Sequence, residues 1–506
     1  MKKLLMLSIG LISTSYILAQ DVTDALRYSM DEIQGTARFR GMSGAFGALG
    51  GDMSSVNINP AGSAIFNNSH ASVSLGVFNT TNDVSYFGNT NASSNTNVDI
   101  NQLGAAFVFK NVKADSKWKK FALSVAYDNA AGFSDNWRAS GVNPNTSIAN
   151  YFLNYANGQR LDEISAFSGE TFSEAYADIG AFYGYGNQQA FLGYEGFIID
   201  PVTDTDENTN YVSNINGSNF NQDYTYNTTG YNGKLAFNFA TSYNDKLYLG
   251  INLNSHFINY EQTTLFRESN SNISSSVTNV NFQNDLLTTA SGFSFQIGGI
   301  AKLTEAFRIG LSYNSATWYR ISEETSQYLA TTRIENGSSV NQVINPDVIN
   351  IYDEYKLQTP SKLTASLAYV FGKKGLISFD YAVKDYSKTK FKPSSDVIFS
   401  GLNTTISNTL NAAAVYRLGG EYRYKQLSFR GGYRFEESPY KDTSFYGDLT
   451  GYSLGLGYSF GDFNLDLAFS QSKRDINHQL YTVGLTDTAL IQSKFTDVIL
   501  SATFNL

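Results

Sequence analysis

The chain has 506 residues, 42% hydrophobic, 14% aromatic and only 16% charged, with a net charge of −9. Such an acidic chain is a poor nucleic-acid binder, and the lack of cysteine excludes disulfide staples and thiolate metal sites. With 42 Gly, 7 Pro, 34 Tyr and 36 Phe, the composition suits a large barrel with aromatic girdles, a class that runs to this length as one unit.

Met1–Ala19 has Lys2 and Lys3, an apolar run from Leu4 to Leu18, then Ala19-Gln20. This is the pattern of a secretory signal, and residues 1–20 are assigned to it. Loss of its two lysines takes the net charge from −9 to about −11. The alternative is an uncleaved anchor, for which the apolar core is short. No later apolar run is long enough for a transmembrane helix.

Residues 21–67 form the next unit. Asp21–Ile33 has Leu26, Met30 and Ile33 spaced for one helical face. Arg38–Gly62 then reads RFRGMSGAFGALGGDMSSVNINPAG, with Gly at 41, 44, 47, 50 and 51. Such a segment can run close to other backbone and take positive φ, but it cannot form a core of its own. From the pattern alone two readings stand: a compact plug inside a barrel, or a flexible N-terminal linker.

From about residue 68 the pattern changes to period-2 alternation. In 451–460, Tyr452, Leu454, Leu456, Tyr458 and Phe460 alternate with Gly and Ser. Fourteen such segments are predicted: 70–79, 99–110, 119–129, 225–244, 246–267, 288–303, 305–320, 355–372, 374–387, 409–424, 426–437, 448–460, 462–474 and 493–506. Short connections alternate with long ones near 80–98, 130–224, 268–287, 321–354, 388–408, 438–447 and 475–492. The fold class is therefore all-β, a 14-stranded antiparallel transmembrane barrel over 68–506, with both termini periplasmic and the long loops outside. A soluble β protein would show the same alternation with its faces reversed; the signal, the loop asymmetry and the aromatic load favour the membrane. Trp118, Trp137 and Trp318 are expected in interfacial belts.

Ala37-Arg38, Gly41-Met42-Ser43-Gly44-Ala45-Phe46, Asp52 and Asn59-Pro60-Ala61-Gly62 together resemble the N-terminal hatch signature of the FadL/TodX family of outer-membrane transporters. Ser43 stands where that family usually has Gly. The resemblance implies a hatch over 21–67 plugging the barrel, gated around Arg38, Phe39, Gly41, Gly44, Phe46, Asn59, Pro60 and Ala61. It also implies a kinked third strand that opens the wall sideways. Gly132, at the end of Asp128–Phe133, is the candidate, against the plainer reading of a strand ending at a loop.

In the largest loop, Ile148, Tyr151, Phe152 and Tyr155 are spaced for one helix face. Thr171 and Glu174 fit a capping box ahead of Tyr176, Ile179 and Tyr183. Ile148, Phe152, Tyr155, Tyr176 and Ile179 are thus candidates for an extracellular hydrophobic groove, or for faces that pack together and cap the barrel. Lumen-facing charges gather late in the chain, at Arg417, Glu421, Arg423, Arg430 and Arg434. They suit pairing that holds the hatch, with capture of a ligand carboxylate by one arginine as the alternative. His70, His256 and His478 are far apart, and no metal spacing, nucleophile motif or nucleotide motif occurs.

The first functional reading is passive uptake of a hydrophobic small molecule, such as a long-chain fatty acid, with no cofactor and no catalysis. Its partners are that ligand, outer-membrane lipid and, during biogenesis, the barrel-assembly machinery; nucleic acid is excluded. The alternative is a barrel of the same family acting as a scaffold or secretion-system component. A weaker alternative is a haem receptor.

Overall fold

A computed structural model describes residues 22–113 and 115–506. The signal segment and its cleavage point lie outside the described residues. Fourteen strands run in order round a closed cylinder. They are β1 (His70–Tyr86), β2 (Asn89–Lys110), β3 (Trp118–Gly132, continued by Asp135–Asn143), β4 (Phe220–Tyr243), β5 (Leu247–Ser269), β6 (Val277–Lys302) and β7 (Phe307–Asn314 and Trp318–Glu335). The wall continues with β8 (Tyr355–Gln358 and Lys362–Val370), β9 (Gly375–Asp385), β10 (Ala412–Tyr424), β11 (Leu427–Glu436), β12 (Leu449–Ser459), β13 (Phe463–Gln479) and β14 (Thr488–Asn505). Each pairs antiparallel with its neighbours, and β14 returns to β1 with Asn505 opposite His70. Among the described residues the ring closes on itself, so none of the fourteen is an edge strand, which is what a strand-built membrane span requires.

The alternation fixes which face meets lipid. On β5, Leu249, Ile251 and Leu253 are exposed, while Asn252 and Asn254 between and beside them are buried inward. On β12, Tyr452, Leu454, Leu456 and Tyr458 are exposed. Trp118 and Trp318 join this outward belt. Trp137 does not: it is buried and stacks on Tyr226 with ring centroids 4.9 Å apart. The ring belongs to the buried cluster at the long-loop end instead.

Three of the expected long loops are largely strand. Residues 80–98 hold the upper parts of β1 and β2, joined at Phe87-Gly88 with φ of 43° and 83°. Stretches 268–287 and 475–492 likewise carry strand at both ends. Above the membrane both faces of a strand are polar, so hydrophobic alternation vanishes while the ladder continues. Asn79, for example, bonds across to Ser94 and Thr96. Within 321–354, β7 folds back on Ser338–Ile344 through Asn336-Gly337 (φ 50° and 80°), the residue pair such two-residue turns favour.

The N-terminal segment lies inside the cylinder. It comprises α1 (Val22–Arg27), α2 (Ala37–Arg40) and two 3-10 turns, Met53–Asn57 and Pro60–Ile65. The largest loop supplies α3 (Ala149–Ala156), α4 (Phe172–Tyr183) and α5 (Tyr185–Glu195) at the long-loop end. A last helix, α6 (Val397–Thr409), follows β9.

Candidate functional site

The plug is built by local capping and short turns. Thr36 caps α2 by accepting from Phe39 N at 3.2 Å, and its hydroxyl donates to Asp52 at 2.8 Å. Asp52 in turn caps the next turn through Ser54 N at 2.9 Å. Gly44 sits at φ +75°, where a side chain is strained, and Phe39 packs on Phe46 at 5.4 Å. Asn59 Oδ1 accepts from Ala61 N at 3.2 Å, and Pro60 opens the turn. The Asn59 amide donates to Gly47 O at 2.8 Å and to Gly299 O of β6 at 3.0 Å.

The wall receives this segment on glycines. A Cβ on Gly432 would lie 2.5 Å from Met42 C, and one on Gly419 2.6 Å from Met42 O. Gly455 faces Gly41, Gly310 faces Gly47, and Gly250 faces Pro60. A Cβ on Gly298 would come within 2.2 Å of Asn59 Oδ1. Backbone therefore rests on backbone round the inner wall. The sequence reading missed this cradle, although glycines in mid-strand on the inward parity were its visible trace. It also missed Asp380 of β9, whose carboxylate accepts from Phe46 N and Gly47 N at 3.0 Å each.

Charge completes the anchoring. Glu421 has a fully buried side chain and accepts from Arg38 of the plug at 2.9 Å, from Arg430 at 2.7 Å and from Arg423. Arg430 also reaches Asp466 at 2.6 Å, and Arg40 pairs with Asp497. Arg434 bonds Ser472 at 2.9 Å. Arg417 lines an inner cavity, and its Nε has no hydrogen-bond partner among the described residues. Four of the five late charges are thus tied into ion pairs or hydrogen bonds.

Above the plug the lumen is occupied by residues 22–28. Ala25 and Tyr28 are buried with Ile258, Tyr260, Tyr319, Tyr355 and Phe391. Arg27 lies 4.3 Å over the Tyr260 ring. An inner cavity of about 100 Å³ is lined by polar groups, among them Asp31, Asp128, Lys234, His256, Lys362 and Lys384, and by apolar ones, among them Ile33, Phe39 and Ile58.

The candidate groove residues are not on an open surface. Ile148, Phe152, Tyr176 and Ile179 are buried in one cluster with Phe191, Phe266, Phe282 and Leu329, and Tyr155 packs against it. Ile148 itself precedes α3 as its N-cap residue. The Thr171–Glu174 capping box is present. These faces pack together and close the long-loop end, as the second of the two readings has it. Apolar side chains at the outside of this cap are different ones, including Phe167, Phe182, Ile349 and Ile351.

At Gly132 the wall has a notch. Pairing of β3 with β2 stops at Asp128–Gln102, whereas pairing with β4 continues through a bulge between Asn129 and Ala131 to Gly132. The plug bridges this gap: Glu32 N donates to Ala130 O at 3.2 Å, Gly132 N donates to Glu32 at 3.4 Å, and Asn101 donates to Gly35 O. A Cβ on Gly132 would meet nothing within 4 Å. The histidines are dispersed: His70 stacks on Phe66, His256 bonds Ser294, and His478 packs on Trp137.

With this geometry in view, comparison with known proteins gives two kinds of match. A family model described as BamG matches residues 192–506. Among solved structures, a Pseudomonas aeruginosa FadL homologue superposes with a TM-score of 0.53 at 12% identity, over 94% of this chain and 99% of that one. The Pseudomonas putida toluene transporter TodX does so with a TM-score of 0.53 at 13% identity, over 94% and 100%. At these identities the likeness is one of fold. No curated protein sequence matches the chain.

Proposed function

The chain belongs to the BamG family, and from that premise we propose that it is a stoppered outer-membrane scaffold, presenting its cap to protein partners. The carrying observation is that the chain itself fills the route a greasy ligand needs. The cap is a packed apolar cluster, α1 and Tyr28 occupy the apolar part of the lumen, and the inner cavity beside them is small and of mixed lining. Phe167, Phe182, Ile349 and Ile351 are exposed at this end and available to a partner. The family's name fits a barrel-assembly setting as one partner context. In this reading the short-turn end and both termini are periplasmic, and no catalysis takes part.

A second reading, uptake of a hydrophobic compound with fatty acids as one class, is favoured by the notch beside Gly132 and by the FadL-like fold. It requires residues 32–35 to leave the notch. Locking the plug separates the two. Ser43 Oγ and Ser453 Oγ are 2.8 Å apart, so the two side chains meet between plug and wall, in a chain with no cysteine of its own. The Ser43→Cys/Ser453→Cys protein, oxidised, is expected to complement a deletion strain and to retain its co-purifying protein partner. Complementation that fails when oxidised and returns with reductant would overturn the scaffold reading in favour of a moving plug.

A further inference from the structure

Two adjacent glycine pairs lie in the wall: Gly419 opposite Gly432, and Gly420 opposite Gly431. The first pair faces inward, and the close approach of Met42 and Ser43 accounts for it. The second faces outward. A Cβ on Gly420 would have its nearest atom 3.7 Å away, and one on Gly431 4.0 Å away. Nothing inside the protein needs these two, yet mid-strand glycine costs strand stability.

Their absent side chains leave a groove of about 510 Å³ in the lipid-facing wall. Ile377, Tyr422 and Phe429 line it, and by register Leu418, Tyr433 and Leu454 are neighbouring outward side chains. All six are exposed. Below it, the turns after β8 and β10 carry Lys373, Lys374 and Lys425, also exposed, and Lys374 lines the groove.

We propose that this outer groove is a binding site for one anionic phospholipid, its acyl chain lying over Gly420 and Gly431 and its phosphate at the three lysines. The apolar floor and aromatic walls match a hydrocarbon chain. The lysines stand where the apolar belt ends, at headgroup height, which is where anionic lipid meets basic residues. A protein partner could also lie flat on glycines, but it would not call for a lysine cluster at the rim. The site is independent of the scaffold reading, because it lies outside the wall and involves no plug residue.

The test is native mass spectrometry of the full chain in nanodiscs of mixed phosphatidylglycerol and phosphatidylethanolamine. One retained phosphatidylglycerol per barrel is expected. Gly420→Leu/Gly431→Leu fills the groove and is expected to cut retention at least fivefold. Lys373→Ser/Lys374→Ser/Lys425→Ser is expected to keep a bound lipid but lose the headgroup preference. Equal retention in the wild type and the double-leucine variant would overturn the proposal. A photoactivatable phosphatidylglycerol probes the unaltered protein and so needs no variant to fold. Its label is expected mainly on β10 and β11; label spread evenly round the wall, or a second protein chain cross-linked there, sinks the idea.

Discussion

Single residues hold the plug by contact rather than by burial of bulk. Gly298 is the sharpest case, because Asn59 Oδ1 occupies the space its side chain would need. Gly298→Leu is expected to cost about 1–3 kcal/mol through overpacking. The barrel itself should survive, since β6 remains paired on both sides. Limited proteolysis would show residues 22–66 cut faster while the barrel core resists; unchanged protection would mean that Asn59 has another place to go. Glu421 acts through charge. Three guanidiniums converge on one buried carboxylate, so Glu421→Gln is expected to cost about 3–5 kcal/mol, the range for breaking a buried pair. Hydrogen exchange across 36–62 is the measurement, and slow exchange in the variant would count against the anchoring role. The late charges were visible as a lumen-facing set because they fall on one strand parity. Their partner Arg38 was visible only as part of a motif, since pairing across 383 residues leaves no mark in spacing.

At the scale of elements, what was legible followed solvent. Within the membrane one face of each strand must be greasy, and there the segments such as 451–460 and 246–267 stand close to β12 and β5. Beyond it that constraint lapses, and β1, β2 and β6 run on into stretches that look like polar loop. The capping box of α4 was legible because it is a local device of two side chains. The destination of its apolar face was not, because helix spacing says which residues share a side and nothing about what covers them. Tyr176 meets Gln327 of β7 and Ile179 joins the cap cluster, both through distant chain. The box also gives α4 a pH response. Hydrogen bonds from the Thr171 N–H and hydroxyl hold the Glu174 carboxyl below its ordinary value. A lowered folded value stabilises above the unfolded pKa of about 4.3 and is lost as pH falls through the lowered one. Amides in the first turn of α4 are therefore expected to lose protection below about pH 4; Glu174→Gln is expected to abolish that pH dependence, and Thr171→Ala, which keeps its backbone N–H, only to reduce it. Protection that stays flat in the unaltered protein would place the carboxyl outside the cap.

For the whole molecule the question is how many stoppers a fourteen-stranded cylinder has. A barrel of this size falls between small barrels filled by side chains and the 16-stranded porins that keep an aqueous channel, so an unplugged lumen is wide enough for water and ions. Here two closures sit in series. The plug rests on its glycine cradle near the short-turn end, and the cap cluster of Tyr151, Phe152, Tyr176, Phe191 and Phe282 shuts the other. The cap owes nothing to the plug: its buried residues come from β1, the 130–224 loop, the upper parts of β3 to β7, the 338–344 strand, the β13–β14 connection and the start of β14. Either closure alone should block ions. In planar bilayers the intact protein is expected to be silent, and so is a version lacking residues 22–66. Replacing 144–219 with a short turn should also leave it silent, because the plug remains. Only the two changes together should give a steady conductance. Should removal of 22–66 alone open a stable pore, the cap would be a loose canopy, and a ligand could enter through it once the plug moved. That outcome would restore the conduit reading, because the closed apolar cap is half of what argues for a scaffold.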